Sequence, residues 1–130
     1  MDQRFGKAYK LCSQKAITEL FERHQNVRQF PFLLHYATLD LPTSRKFQIV
    51  ISAPKRIFRK AHDRNRIKRL TREAFRKNKF ILEEFLNDRP EQLGLFLIYT
   101  GKEEFQYAMI EQKMARLMHK LIEELKLKES

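Results

Sequence analysis

The sequence predicts an α+β protein in which a single small, mostly antiparallel four-stranded sheet packs with three helices. The expected order is helix, strand, strand, strand, helix, strand, helix. Three observations lead there. Arg45 to Ser52 alternates, with Phe47, Ile49 and Ile51 on one side and Lys46, Gln48, Val50 and Ser52 on the other. A long segment from about Phe58 to Asn87 carries Ile67, Leu70, Ala74, Ile81 and Phe85 as one apolar stripe at helical spacing. Leu93 to Thr100 is apolar almost without alternation, as a central strand covered on both faces is.

The first helix begins after Ser13, a side chain suited to an N-cap, and reaches about His24. Ile17, Leu20 and Phe21 share one face of it. Val27 to Leu41 is aromatic and β-rich, but Pro31 would break a central strand. A short edge strand therefore precedes Pro31 and a full strand follows it. Asp40 to Ser44 is turn material, so the following Arg45–Ser52 strand is expected to form an antiparallel hairpin with its predecessor. Pro54 closes that strand, and Arg89-Pro90-Glu91 ends the long helix. Gly101 turns the chain into a last helix from about Glu104 to Leu127, with Ile110, Met114, Leu117, Met118, Leu121 and Leu125 as its buried stripe. With 130 residues, 42% hydrophobic, and only 3 Gly and 4 Pro, the chain suits one domain spanning 1–130.

Charge is concentrated. Of the 27 Lys and Arg residues, 12 lie between Lys55 and Lys79, beside only Asp63 and Glu73. That segment carries +10 of the formal +11, so the excess is one local patch. Arg64, Lys68, Arg69, Arg72, Arg76 and Lys79, with Asn65 among them, spread over the helix side opposite the apolar stripe. Glu73, one turn from Arg69 and Lys77, is expected to tether them. Crowded like charges repel, and a polyanion relieves them; nucleic acid is the cheapest explanation. Guanidinium forks grip phosphate oxygens in pairs, and Asn65 offers both donor and acceptor to a 2′-hydroxyl or base edge. Arg64, Lys68 and Arg72 recur every four residues, about 6 Å of helix rise, comparable to phosphate spacing along a strand.

The run Arg64-Asn65-Arg66-Ile67-Lys68-Arg69-Leu70-Thr71-Arg72-Glu73 resembles the signature of the bacterial ribonuclease P protein component. Ile49-Val50-Ile51-Ser52-Ala53-Pro54-Lys55-Arg56 ahead of it, and Leu11-Cys12-Ser13 through Phe21, resemble that family's flanking strand and first helix. The resemblance covers about residues 9 to 125. It implies a fold like the second domain of a small-subunit ribosomal protein, and a subunit that assists removal of the 5′ leader from precursor tRNA. Contacts to the catalytic RNA would fall to Lys55, Arg56, Arg64, Asn65, Arg66, Lys68, Arg69, Arg72 and Arg76. A leader-binding cleft between first helix and sheet would fall to Ile17, Phe21 and Tyr36; for Phe21 and Tyr36, filling the core is the competing reading. The partners implied are the ribonuclease P RNA and precursor tRNA, with no membrane and no obligate protein partner. Catalysis would belong to the RNA, with Mg2+ in the holoenzyme and no cofactor in the protein.

Two features depart from the family pattern. His62 and Asp63 precede Arg64, and Ile57-Phe58 stands where the turn usually has glycine. Asp63 is expected to cap the helix or pair with Arg66. The sequence suggests no active site of its own: His24, His35, His62 and His119 are scattered, and Glu83-Glu84 and Glu123-Glu124 point about 100° apart on their helices. Cys12 is the sole cysteine, which excludes an internal disulfide, and packing explains it better than reactivity. Met1 to Gly6 lacks the apolar core of a secretory signal, and no apolar run approaches the roughly 20 residues of a membrane span, so a cytoplasmic protein is expected. The alternatives are a DNA-binding regulator using the basic helix in a major groove, and an amphipathic helix for a membrane or protein surface. Neither heptads nor spare apolar residues favour them.

Overall fold

The computed structural model describes residues 9–11, 13–23 and 25–129, so the expectations placed on Met1–Gly6, Cys12 and His24 lie outside the described residues. The elements are α1 (Gln14–Glu22), β1 (Asn26–Gln29), β2 (Phe32–Thr38), β3 (Phe47–Ser52), α2 (Ala61–Leu86), β4 (Leu93–Tyr99) and α3 (Tyr107–Glu129). Ser13 caps α1 as its chemistry dictates, its Oγ accepting from the Ala16 N–H at 3.2 Å. The Phe30–Pro31 bond between β1 and β2 is cis.

The strands lie in the order β1-β2-β4-β3, and the sheet is mixed. β2 runs antiparallel to both β1 and β4, whereas β3 is parallel to β4. The expected β2–β3 hairpin does not form, because β4 lies between the two. Alternation along a strand fixes which side chains share a face; it does not choose the neighbour. The uninterrupted apolar run of β4 belongs in the sheet centre, and α2 supplies the long crossover that parallel pairing with β3 requires.

On one face of the sheet, Phe32, Leu34, Tyr36, Phe47, Ile49, Leu95, Leu97 and Tyr99 pack against Ile67, Phe75 and Leu82 of α2 and Met114, Leu117 and Leu121 of α3. On the other, Ala37, Leu39 and Leu41 meet Leu11, Ala16 and Leu20. Helix α1 presses close enough that a side chain at Gly94 would collide with Leu39 and reach Leu20 at 3.4 Å. It covers only one end of this face.

Helix α2 is rotated from the sequence expectation. Ile67, Thr71, Ala74, Phe75, Asn78, Lys79, Leu82 and Leu86 are buried, while Leu70, Ile81 and Phe85 are half-buried. Lys79, placed by sequence on the basic side, is 1% exposed. Its ammonium donates to Glu83 Oε1 at 2.9 Å and to the Tyr9 hydroxyl at 3.3 Å, and sits 4.4 Å from the Tyr9 ring centroid. A carboxylate and a ring face together offset the loss of hydration that would otherwise keep a lysine at the surface.

Candidate nucleic-acid interface

After β3 the chain turns tightly: the Ile57 and Phe58 N–H groups both donate to the Pro54 carbonyl, at 3.1 and 3.0 Å. No glycine is needed, because Phe58 anchors the turn in the core with its ring 5.9 Å from that of Tyr99. Lys55, Arg56, Arg59 and Lys60 are thereby left exposed around the start of α2. Lys60 is the N-cap and supplies no capping side chain. Asp63 falls in the first turn, where a carboxylate favours the helix dipole, but makes no cap hydrogen bond.

The basic residues of α2 have distinct surroundings. Arg64 Nη1 donates to the carbonyls of Phe58 and Arg59, both at 2.9 Å, so this guanidinium braces the lead-in it follows. Arg66 Nε pairs with Glu104 Oε1 at 2.9 Å, and not with Asp63 as expected, while remaining 59% exposed. Asn65, Arg69 and Arg72 are exposed and Lys68 half-buried. Glu73 tethers neither Arg69 nor Lys77; its carboxylate takes Arg76, whose Nε donates to Oε2 at 3.1 Å. The hydrogen bond from Arg76 holds the Glu73 carboxyl below its ordinary value, and the same bond raises the Arg76 guanidinium. Lys55, Arg56, Arg59, Lys60, Arg69 and Arg72, with the neutral Asn65 among them, therefore form the outward cationic surface. Arg64 and Arg66 belong to it while holding its framework, and Arg76 is half-neutralised at its far end.

The second feature is the part of the sheet that α1 leaves open. Register places His35 opposite Phe96, and Phe96 opposite Val50, so these three stand side by side across β2, β4 and β3. Leu33, Ile98 and Ser52 form the next row. All six are half-buried. Phe21, 36% exposed, leans from α1 over this floor, its ring centroid 4.9 Å from those of both His35 and Phe96. Ile17 and Phe21 of α1 and Phe96 of β4 line a shallow groove of about 640 Å³.

Of the residues expected in a cleft, the structure brings Ile17 and Phe21 together and sets Tyr36 apart. Tyr36 is 2% exposed on the opposite face of β2, in the core beneath α2 and α3. Successive strand residues point to opposite faces, so the cleft-facing neighbour is His35. The floor residues Phe96 and Ile98 were missed because the almost unbroken apolar run of β4 reads as covered on both sides, and His35 and Val50 because alternation does not say which face of a strand a helix leaves open. The alternation His35–Ala37 against Leu34–Tyr36 was the available signal. Among the described residues no group of three His, Cys, Asp or Glu side chains is placed to hold a metal ion, and no helix is long and apolar enough to cross a membrane.

A family model described as Ribonuclease P matches residues 5–122. A ribonuclease P protein component of Porphyromonas gingivalis is 32% identical over 111 residues, covering 85% of this chain and 81% of that one. The solved RNase P protein of Staphylococcus aureus superposes with a TM-score of 0.66 at 18% identity, over 88% of this chain and 96% of the other. That of Thermotoga maritima gives 0.66 at 19% identity, over 85% and 96%. These structures share the fold, and with the family model spanning most of its length, the chain belongs to the Ribonuclease P family of protein components.

Proposed function

We propose that the chain binds the RNA subunit of ribonuclease P through the cationic face of α2 and its lead-in, and receives the 5′ leader of precursor tRNA in the groove under α1. Membership of the family makes it the protein component of a ribonucleoprotein that processes tRNA. The observation that carries the finer reading is the junction of two surfaces. β3 ends at Ser52 in the floor of the open groove, and three residues later the chain enters the exposed Lys55–Lys60 corner. A strand lying in the groove would thus run directly into the phosphate-binding face.

Each half suits its polymer. Arg69 and Arg72, exposed and within about one turn of Lys68, with Asn65 about one turn before Arg69, match a folded RNA's phosphates and 2′-hydroxyls. Phe21, His35 and Phe96 offer ring surface to unstacked bases, at roughly 1–3 kcal/mol per stacked base. The protein supplies affinity and position, and its cations lower the repulsion between leader, tRNA and RNA subunit. Cleavage is the work of the RNA with its Mg2+, in the cytoplasm where precursors are made. The duplex-DNA alternative gains nothing from the relatives.

The test is reconstitution. Added to a bacterial ribonuclease P RNA at low Mg2+, the full chain should restore leader removal from precursor tRNA. It should also bind leader-bearing precursor more tightly than mature tRNA. Equal binding of precursor, mature tRNA and duplex DNA would overturn the reading.

A further inference from the structure

The tip between β1 and β2 carries an aromatic residue that neither surface described above uses. Phe30 is 56% exposed, the most exposed aromatic ring among the described residues. It is nevertheless held in place. Its ring meets the edge of Phe105 at 5.6 Å, and Phe105 lies 6.4 Å from Tyr99. The adjoining Pro31 carbonyl accepts from the Thr100 N–H at 2.7 Å. Gly101 fits this corner only without a side chain, since a Cβ there would lie 2.8 Å from Phe105 and 3.2 Å from Pro31.

The support beneath Phe30 leads straight to the basic helix. Phe105 follows Glu104, whose carboxylate holds Arg66 at 2.9 Å. Tyr99, the next ring inward, packs on Phe58, whose carbonyl holds Arg64 at 2.9 Å. The tip is cationic too: Arg28 is exposed at the foot of the turn, and Lys120 from α3 donates to the Arg28 carbonyl at 2.8 Å. Of the nearby acids, Glu104 is engaged by Arg66, while the exposed Glu103 carboxylate is offset by the adjoining exposed Lys102, and the Glu103 backbone carbonyl accepts from the Tyr99 hydroxyl at 2.8 Å.

We propose that Phe30 is a stacking platform for an unpaired base of the RNA bound by α2, extending that interface past Arg66 to the β1–β2 tip. The proposal rests on the reading of α2 as the RNA-binding face. A rigidly backed aromatic ring flanked by cations suits a nucleobase, whose π-face stacks on it while neighbouring phosphates meet Arg28, Lys120 and Arg66. An apolar protein partner would instead have to desolvate those charges.

The chain has no tryptophan, so Phe30→Trp installs a single indole reporter at the tip. On titration with a bacterial ribonuclease P RNA transcript, its emission should be quenched at the same concentration at which binding saturates, with affinity retained. Phe30→Ala should weaken binding by about 5- to 100-fold. Circular dichroism of the free protein should be unchanged, and the salt slope should hold because no phosphate contact is removed. Unaltered emission, or wild-type affinity in Phe30→Ala, would overturn the proposal. An Arg72→Ala variant run alongside separates the two levels. If it weakens binding and Phe30→Ala does not, only the tip assignment fails; if it does not, the assignment of the α2 face fails.

Discussion

Glu73 and Arg76 are locked together on α2, the guanidinium donating through two nitrogens to both carboxylate oxygens one helical turn back. The pair subtracts one cation from a face otherwise left charged. Glu73→Gln should release Arg76, tighten binding to ribonuclease P RNA by roughly threefold and steepen the log–log salt dependence by about one unit. Filter binding across a salt series measures both.

Acid should undo the same pair. The Glu73 carboxyl lies below its ordinary 4.5, chiefly through the Arg76 hydrogen bond. A depressed folded value means the pair's contribution is present above the unfolded value and disappears as pH falls through the folded one. Melting of the wild type should therefore lose a small increment in strong acid that Glu73→Gln lacks at every pH. Parallel melts by circular dichroism would show it.

Arg64 and Arg72 should separate framework from contact. Arg72→Ala should weaken RNA binding and flatten the salt slope by about one unit while leaving the melting temperature unchanged. Arg64→Ala should do both that and harm. Losing two hydrogen bonds to the Phe58 and Arg59 carbonyls should cost about 1–2 kcal/mol and raise protease sensitivity in the Lys55–Lys60 segment.

On the two faces of the sheet, aromatic substitutions should behave oppositely. Phe21→Ala and Phe96→Ala should weaken leader-bearing precursor tRNA by about tenfold and mature tRNA hardly at all. Tyr36→Ala should instead destabilise the protein by about 3–5 kcal/mol, because a fully buried ring is removed. Tyr36→Phe should leave leader affinity untouched.

Lys79 gives the control for the charge argument. Lys79→Met should leave RNA affinity and salt slope unaltered, and shift stability by about 1–3 kcal/mol as Glu83 loses its cation and keeps the Tyr9 hydroxyl. A drop in RNA affinity with the fold intact would return Lys79 to the binding face.

What could be read from the chain divides along physical lines. Ser13, the existence of β4 as a central strand and the α3 stripe from Ile110 to Leu121 announce themselves, because capping, apolar runs and helical spacing are local properties. The partner of β3 and the rotation of α2 that buries Lys79 depend on what lies across a gap. Local periodicity holds no record of that. Tyr36 was misplaced for the same reason: the strand was found, but only the positions of α1 and α3 decide which of its two faces stays open. The cationic patch survives these errors, since twelve like charges within 25 residues outvote the fate of any one.

Inserting β4 between β2 and β3 has a consequence during synthesis. Until residues 93–99 have left the ribosome, β3 has no neighbouring strand and β2 only β1, so α2 emerges before the surface that will shelter its apolar side. At roughly 5–20 residues per second, the stretch from Leu86 to Tyr99 takes about 1–3 seconds. For that time the basic helix stands beside ribosomal RNA with its apolar side uncovered, and the speed at which the last strand arrives bounds how long that half-built surface can linger on the wrong polymer.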